Sequence, residues 1–366
     1  MAFAQGIQIL TASTAKVPIL GGMRAAIYRE FKGPITVDTL PDPEPADDGV
    51  VIEVKASGLC RSDYHGWQGQ DPDIVLPQVP GHELAGVIAA LGKDVKGWSV
   101  GDRVTLPFCC GCGICETCAA GQTQICDLHF QPGFTAFGSF AQYVAIPYAE
   151  ANLVRLPDSL DFQVASILGC RFVTAYRAVV DRGRAMEDEW VAIHGCGGLG
   201  LSSIQVAAAL GSRVIAVDID PATLALAKDL GAELCVDANA VDDVAEAIRE
   251  SSGGGAHVSL DTLGSPTCAV NSLLCLRKQG SHVQVGLLPD GPTPLPMDVV
   301  IGRELEIYGS HGLAAERYPE VLDMVTSGLV DPARLLGKEL SLDELPAALM
   351  SMGSFPGGGV SVVTTF

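Results

Sequence analysis

The chain has 366 residues, of which 48% are hydrophobic and 18% are charged, which excludes a disordered polypeptide and suggests two domains of ordinary size. Its 23 Lys and Arg residues against 43 Asp and Glu residues give a formal net charge of -20 with histidine neutral. A protein this acidic lacks the basic surface that a nucleic acid or an anionic membrane would require, so neither partner is expected.

The sequence shows no sign of a membrane segment or a leader. No run approaches the roughly 18 consecutive apolar residues of a membrane-spanning helix. The first 20 residues lack the basic start and the continuous apolar core of a secretion signal. We therefore expect a cytoplasmic protein.

The first part of the chain, from Met23 to about Tyr148, is predicted to be a β-rich domain of short strands and long loops. Runs rich in β-branched residues alternate with Gly and Pro, which is typical of strands, at residues 25–28, 50–57, 84–91, 103–106 and 140–146. Pro41, Pro43 and Pro45 exclude a helix or a central strand, because proline lacks the N–H group and restricts the residue before it. This segment is predicted to be a stiff, solvated connector.

After about Cys170 the pattern changes to strands that alternate with helices. Strands are predicted at residues 190–194, 213–218, 257–262 and 282–285, and helices at 201–210, 221–230 and 241–250. Such alternation predicts a parallel, doubly wound sheet. The helix that begins at Pro221 is the best delimited, since Asp220 is a favourable N-cap and Gly231 follows its end.

The C-terminal part is predicted to contain further strands and helices. A strand is expected at residues 306–309, helices near 316–327 and 342–352, and a final strand at 360–365.

Cysteine spacing gives the strongest functional signal. Of the 12 cysteines, six lie in one short segment, and four of these have the spacing Cys112-x2-Cys115-x2-Cys118-x7-Cys126. Four thiolates on one loop can surround a tetrahedral zinc ion with no open position, which defines a structural zinc site. Cys109 and Cys110 remain outside this set and are predicted to be buried thiols.

A glycine-rich loop gives the second signal. Gly195-x-Gly197-x-x-Gly200 follows a predicted strand, opens a predicted helix and precedes a strand that ends at Asp218. This context predicts a dinucleotide site, because the glycines allow close backbone approach and the helix start offers N–H groups to a pyrophosphate. Asp218 would accept hydrogen bonds from the adenosine ribose and repel a 2′-phosphate, which favours NAD over NADP.

Three further segments carry candidate metal ligands. They are Cys60 in Cys-Arg-Ser-Asp-Tyr-His, His82 and Glu83 in Gly-His-Glu, and Cys170 in Leu-Gly-Cys. Two cysteines and one histidine are a known ligand set for a catalytic zinc with one open position. Spacing alone does not join these segments.

In this combination and order the motifs resemble those of the zinc-dependent alcohol dehydrogenases of the medium-chain dehydrogenase/reductase superfamily. The resemblance runs from about Met23 to Phe366. It implies an α/β protein with a GroES-like catalytic domain formed by residues 1–171 and 309–366, which includes the zinc lobe at 109–126. A Rossmann NAD-binding domain at 172–308 is inserted between the two parts.

The resemblance also implies roles for individual residues. It assigns two zinc ions to each chain, a catalytic one on Cys60, His82 and Cys170, with Glu83 behind the metal or transiently bound to it, and the structural one on the four-cysteine loop. It assigns proton relay to Ser62 and His65, and the walls of the substrate pocket to Trp67 and Phe108. Cofactor contacts are implied for Arg61, Thr174, Gly195, Gly197, Gly198, Leu199, Gly200, Asp218 and Val285.

Two features depart from the vertebrate members of this family. Those members carry near the C-terminus an arginine that helps to hold the pyrophosphate, and the matching residue here is Ser361, which predicts weaker cofactor binding. The segment between Cys126 and Cys170 is shorter than in the dimeric relatives. It resembles bacterial tetrameric members and predicts a more open pocket for bulkier alcohols.

These expectations define one leading function and two alternatives. The leading hypothesis is an NAD- and zinc-dependent dehydrogenase that interconverts a primary or secondary alcohol, including bulky allylic or aromatic ones, with its aldehyde or ketone. A homotetramer is expected, with a homodimer as the alternative. The other functions considered are a polyol dehydrogenase of the same superfamily, many of which carry glutamate where this chain has Cys170, and a non-catalytic NAD-binding protein.

Overall fold

The computed structural model describes residues 22–288, 291–354 and 359–366. In this part of the chain the strands form a hairpin, a mixed sheet and a parallel sheet. The strands before the parallel sheet are β1 (Met23–Tyr28), β2 (Ile35–Leu40), β3 (Val50–Gly58), β4 (Glu83–Leu91), β5 (Arg103–Thr105), β6 (Tyr143–Ile146) and β7 (Val154–Arg155). Those that follow are β8 (Trp190–His194), β9 (Arg213–Asp218), β10 (Ala232–Asp237), β11 (Ala256–Asp261), β12 (Leu276–Gln284), β13 (Glu306–Gly309), β14 (Leu336–Ser341) and β15 (Val360–Thr365).

The mixed sheet joins the two ends of the described chain. Its order is β14-β15-β3-β4-β5-β7, and β6 pairs with β3. The C-terminal strand β15 thus runs beside β3, where Val362 lies opposite Gly58. Strands β3 and β4 pair in antiparallel fashion along most of their length. Their buried side chains form a core with those of β5 and β6.

The parallel sheet has the order β10-β9-β8-β11-β12-β13. The strand order reverses beside β8, and in doubly wound sheets a ligand crevice opens at such a point. The central strands β8, β9 and β11 are mostly buried, as expected when helices cover both faces.

The helices connect these strands. They are α1 (Arg61–Trp67), α2 (Glu116–Ala119), α3 (Ala149–Asn152), α4 (Phe162–Ser166), α5 (Val173–Tyr176), α6 (Gly198–Ala209), α7 (Pro221–Asp229), α8 (Val244–Ser251), α9 (Pro266–Leu274), α10 (Met297–Arg303), α11 (Tyr318–Thr326) and α12 (Leu345–Ser351). Two π-helical segments, Leu168–Phe172 and Arg177–Arg182, flank α5. No helix within the described ranges is long and apolar enough to cross a membrane.

The predicted α/β class and its two kinds of sheet are confirmed. The caps of α7 are also confirmed, since Asp220 accepts hydrogen bonds from two backbone N–H groups of the first turn and Gly231 has a φ of 118°. Several boundaries were wrong. The strand predicted from residue 140 begins at Tyr143, and the helix predicted from 316 begins at Tyr318 after a short 3₁₀ turn. Strands β2, β7, β10 and β14 were not predicted.

Candidate active site and zinc centres

The pairing of β3 with β4 brings the first two metal-ligand segments together. Gly58, at the end of β3, lies opposite Glu83, at the start of β4. A Cβ atom on Gly58 would lie 2.4 Å from a Glu83 carboxylate oxygen, so a side chain at this position would displace the carboxylate. Cys60 is the N-cap of α1, immediately after β3, and His82 immediately precedes β4.

The π-helical turn Leu168–Phe172 supplies the third ligand segment. Its Gly169 carbonyl accepts a hydrogen bond from the Phe108 N–H at 2.9 Å, and a Cβ on Gly169 would lie 2.9 Å from the Leu106 carbonyl oxygen. The missing side chain thus lets the turn approach the segment that follows β5. Irregular π turns of this kind are frequent at functional sites.

The three segments converge on one cluster. One potential ligand atom from each of Cys60, His82, Glu83 and Cys170 lies within 4.8 Å of the others. The His82 ring is fully buried, yet its Nε2 has no hydrogen-bond partner. A buried nitrogen left unpaired costs free energy unless a ligand satisfies it. The donor set and this unpaired nitrogen fit a zinc ion.

Asp63, on α1, orients this cluster from behind, a role that the sequence analysis did not assign. Its Oδ1 lies 2.9 Å from His82 Nδ1 and accepts the Gly81 N–H at 3.0 Å, while its Oδ2 accepts the Cys60 N–H at 2.9 Å. A carboxylate that accepts the Nδ1 proton directs the Nε2 lone pair toward a metal. Gly81 has a φ of 104°, which permits this turn.

Glu83 is held by Arg171, the residue after Cys170. Arg171 Nε lies 2.9 Å and 3.1 Å from the two Glu83 carboxylate oxygens, and Nη2 lies 2.6 Å from Oε2. Burial opposes the charge of Arg171, but the Glu83 carboxylate raises its pKa, so the guanidinium stays charged. Both Glu83 oxygens are engaged, which favours a place behind the metal over direct ligation.

The thiols of this cluster are electrostatically coupled. A hydrogen bond with Cys170 lowers the pKa of Cys60 well below its ordinary value, against the effect of burial. His82 and Arg171 lower it further. The thiolate is the form that binds zinc, so the surroundings prepare Cys60 as a ligand.

The four-cysteine loop forms a second cluster. The sulfur atoms of Cys112, Cys115, Cys118 and Cys126 lie within 4.8 Å of one another, and none is in a disulfide. Two of their separations are 3.7 Å and 4.0 Å, close to the roughly 3.8 Å edge of a tetrahedron with Zn–S bonds of about 2.3 Å. Backbone N–H groups of Cys112, Cys118 and Leu128 donate to these sulfurs. The cluster fits a closed zinc site.

Cys109 and Cys110 lie outside that cluster. Both are fully buried, and the Cys110 thiol donates to the Pro107 carbonyl. Burial raises the pKa of Cys109 to about 12, so it stays a thiol at neutral pH. These placements agree with the predicted buried thiols.

The glycine-rich loop lies between β8 and α6. Gly195 has a φ of 90°, and a Cβ on Gly200 would lie 1.9 Å from the Gly195 carbonyl oxygen, so both positions require glycine. A Cβ on Gly197 would meet nothing within 4 Å, so this glycine faces open space. The α6 N-terminus has no side-chain cap. The loop therefore fits a pyrophosphate.

The other predicted cofactor residues lie on several elements. Asp218 ends β9, where its carboxylate accepts hydrogen bonds from the N–H groups of Cys196, Ile219 and Asp220.

The remaining predicted cofactor residues lie on other elements. The Thr174 hydroxyl, on α5, is buried and has no hydrogen-bond partner, which fits a polar ligand group. Leu199 and Val285 are partly exposed. Arg61 donates to the Met352 carbonyl, on the segment after α12.

The predicted relay residues line a cavity of about 260 Å³ beside the first cluster. Ser62 and His65 share its wall with Phe134, Leu287 and others. The Ser62 hydroxyl lies 3.8 Å from the Cys60 sulfur. Burial and the nearby Arg61 lower the pKa of His65, which keeps this imidazole neutral at physiological pH.

The two aromatic residues predicted for the substrate pocket differ in position. Phe108 packs edge-on against His82, with ring centroids 6.1 Å apart. Neither is among the described residues that line the cavity. Trp67 lies in a core cluster with Tyr28 and Phe140, and its indole N–H donates to the Gly33 carbonyl. The assignment of both residues to the substrate pocket stays a prediction. Phe134, which the sequence analysis did not single out, lies 5.3 Å from the His82 ring.

Comparisons with known proteins agree with this geometry. Residues 46–158 match the family model described as alcohol dehydrogenase GroES-like domain, and residues 198–327 match the one described as zinc-binding dehydrogenase. An alcohol dehydrogenase of Geobacillus stearothermophilus is 36% identical over 310 residues, which cover 84% of this chain and 90% of the relative.

Solved structures extend the likeness to nearly the whole chain. A benzyl alcohol dehydrogenase from Acinetobacter calcoaceticus has a TM-score of 0.88 at 26% identity, covering 95% of this chain and all of the other. An NAD-dependent alcohol dehydrogenase has a TM-score of 0.85 at 30% identity, covering 94% of this chain and all of the other. The chain belongs to the zinc-type alcohol dehydrogenases of the medium-chain dehydrogenase/reductase superfamily.

Proposed function

We propose that the protein interconverts primary or secondary alcohols and the corresponding aldehydes or ketones, with NAD as the hydride carrier and two zinc ions per chain. The observation that carries this proposal is the convergence of Cys60, His82 and Cys170 around an unpaired buried Nε2, beside a cavity that Ser62 and His65 line. The domain division at residues 171/172 and 308/309, a cytoplasmic location and a homotetramer belong to the same proposal.

The chemistry needs a Lewis acid at the alcohol oxygen and a hydride acceptor, which a bound zinc ion and a nicotinamide supply. The protein must then remove the hydroxyl proton. Ser62, whose hydroxyl lies 3.8 Å from the Cys60 sulfur, would accept this proton while it passes its own hydroxyl proton on. His65, on the same cavity wall, has a lowered pKa and is the base that passes the proton toward solvent.

The preference for NAD over NADP rests on Asp218. Three backbone N–H groups occupy three of the roughly four acceptor sites of its carboxylate, which leaves one site on Oδ2 for an adenosine ribose hydroxyl. A 2′-phosphate there would meet a negative charge at the end of β9. Neighbours of known structure include both an NAD-dependent alcohol dehydrogenase and a zinc-binding dehydrogenase bound to NADP, so the choice rests on Asp218.

The substrate class follows from the walls of the site. Phe134, Leu287 and Leu288 line the cavity, and Phe134 packs edge-on against His82, so the side of the cavity toward His82 is apolar and aromatic. Such a wall favours benzylic and allylic alcohols over polyols, because a polyol would lose hydrogen bonds to water there. The likeness to a benzyl alcohol dehydrogenase supports this preference.

An alcohol panel tests the proposal. The purified protein should reduce NAD with benzyl alcohol, cinnamyl alcohol and ethanol, with the highest kcat/KM for the aromatic alcohols and the lowest for sorbitol. NADP should be the poorer acceptor. A chelator should abolish turnover, and added zinc should restore it. Preference for sorbitol would indicate a polyol dehydrogenase, and absence of turnover in a protein that binds NADH would indicate a non-catalytic role.

A further inference from the structure

Arg171 has hydrogen-bonding capacity that its ion pair does not use. The side chain is only 9% exposed. Its Nε and Nη2 donate to Glu83, and Nη2 also donates to the Leu59 carbonyl at 3.0 Å. These bonds use three of the five guanidinium hydrogens. The two on Nη1 have no acceptor among the described residues.

The unused end of the guanidinium points at the glycine-rich loop. A Cβ atom on Gly198, the first residue of α6, would lie 2.6 Å from Arg171 Nη1 and 3.1 Å from its Cδ. The absence of a side chain at Gly198 therefore lets the guanidinium approach the start of a 12-residue helix.

This juxtaposition is electrostatically unfavourable by itself. The first N–H groups of α6 lack partners within the helix, and the helix dipole makes this end positive. A buried guanidinium beside it adds a second positive charge, which Glu83 offsets only on the opposite edge of the group. An anion between Nη1 and the helix start would satisfy both sets of donors.

We propose that Arg171 is a cofactor-binding residue, whose Nη1 donates to a pyrophosphate oxygen of the dinucleotide while Glu83 fixes the rest of the guanidinium. This inference rests on the proposed dinucleotide function. It gives the ion pair a second role, because one side chain then links the zinc cluster to the cofactor.

The inference also bears on Ser361, from which weaker cofactor binding was expected. Ser361 lies on β15, and its carbonyl accepts the Leu59 N–H at 2.8 Å. Arg171 Nη2 binds the carbonyl of the same Leu59. The positive charge near Leu59 thus comes from Arg171 on the π-helical turn and not from a residue of β15. If Arg171 binds the pyrophosphate, Ser361 does not imply weaker cofactor binding.

The test compares ligands with and without a pyrophosphate. Dissociation constants for ADP-ribose and NADH are measured by calorimetry and fluorescence, and adenosine binding by saturation-transfer NMR. Loss of a charge-assisted hydrogen bond predicts roughly 10- to 100-fold weaker ADP-ribose binding, with adenosine unchanged.

The decisive variant is the double substitution Arg171→Gln with Glu83→Gln, which removes both charges and leaves no buried carboxylate without a partner. The second variant is Arg171→Lys, which keeps a positive charge near Glu83 but lacks the planar guanidinium that can bind two partners at once. It should also bind ADP-ribose more weakly. The matched control is Arg213→Gln with Glu233→Gln, since Arg213 makes the same two-pronged contact on the surface. Its ADP-ribose affinity should equal that of the wild type.

The outcomes separate this inference from the proposed function. ADP-ribose affinity at the wild-type level in both Arg171 variants would overturn the inference and leave a purely structural ion pair, while wild-type turnover still supports the dehydrogenase. Equal weakening for adenosine and ADP-ribose would also overturn it. A wild-type protein that binds neither ADP-ribose nor NADH would overturn both.

Discussion

Asp63 orients two of the residues that are proposed to bind the catalytic zinc, Cys60 and His82. Its two oxygens accept from the backbone at Cys60 and Gly81 and contact the His82 ring. One buried carboxylate therefore fixes two ligand segments and the His82 tautomer together. The residue lies in the Cys-Arg-Ser-Asp motif, and an acidic side chain beside metal ligands was the available signal for its role.

Replacement of Asp63 by asparagine keeps the shape but removes the charge that holds the His82 proton. We expect zinc at this site to bind about 10- to 100-fold more weakly, and turnover to fall with it. Zinc release to a chromogenic chelator measures the affinity. Asp73→Asn is the control, since Asp73 lies on the surface near His129. Wild-type zinc retention and turnover in Asp63→Asn would contradict the assigned role.

For individual residues, the sequence indicated which side chains could bind zinc, but not the contacts that these side chains make in the fold. The cysteines and His82 were recognised because few other residue types bind zinc. The contact of the Trp67 indole N–H with the Gly33 carbonyl was not predicted, because no local motif indicates it. Arg171 was overlooked since its partner Glu83 is 88 residues away, a contact that only the fold creates.

The zinc lobe is the clearest case of an element whose structure depends on ligand atoms. Residues 109–126 contain only the four-residue helix α2, followed by a short 3₁₀ turn, which cannot stabilise a lobe by helix formation. Cys118 and Cys126 pack mainly against the other cysteines of the cluster. The lobe is therefore expected to depend on bound metal for its order.

Cys115→Ser should remove one zinc ion per chain and lower the free energy of unfolding by at least about 2 kcal/mol. Cys110→Ser is the matched control, because a serine hydroxyl there can still donate to the Pro107 carbonyl. It should retain both zinc ions. Metal analysis and thermal denaturation compare the two variants. Full zinc content in Cys115→Ser would contradict the structural site.

Prediction of the other elements succeeded where local signals were strong. Asp220, Pro221 and Gly231 delimit α7 by chemistry that acts within one turn. Strand β10 was overlooked because it is a sheet edge, where Glu233 and Cys235 break up the apolar run. Strand β14 exists through its pairing with β15, and its exposed Lys338 and Glu339 hide the pattern.

The whole molecule places the site between its two kinds of sheet. Cys60 follows strand β3 and His82 precedes strand β4 of the mixed sheet, whereas Cys170 and Arg171 lie on the helical segment that leads toward β8 and the glycine-rich loop. Sequence spacing could not unite ligands so far apart along the chain, and the resemblance to a known family supplied that step. In the structure these segments meet at three glycines. Gly58 lies close to Glu83, Gly169 to the Leu106 carbonyl, and Gly198 to Arg171.

Turnover is proposed to require a zinc ion held by Cys60, His82 and Cys170. The most direct measurement is the zinc content and the benzyl alcohol turnover of Cys60→Ser beside the wild type, with NADH affinity measured on the same samples. We expect two zinc ions per chain in the wild type and one in the variant, with turnover lost and NADH affinity retained. A Cys60→Ser protein that keeps two zinc ions and wild-type turnover would contradict it.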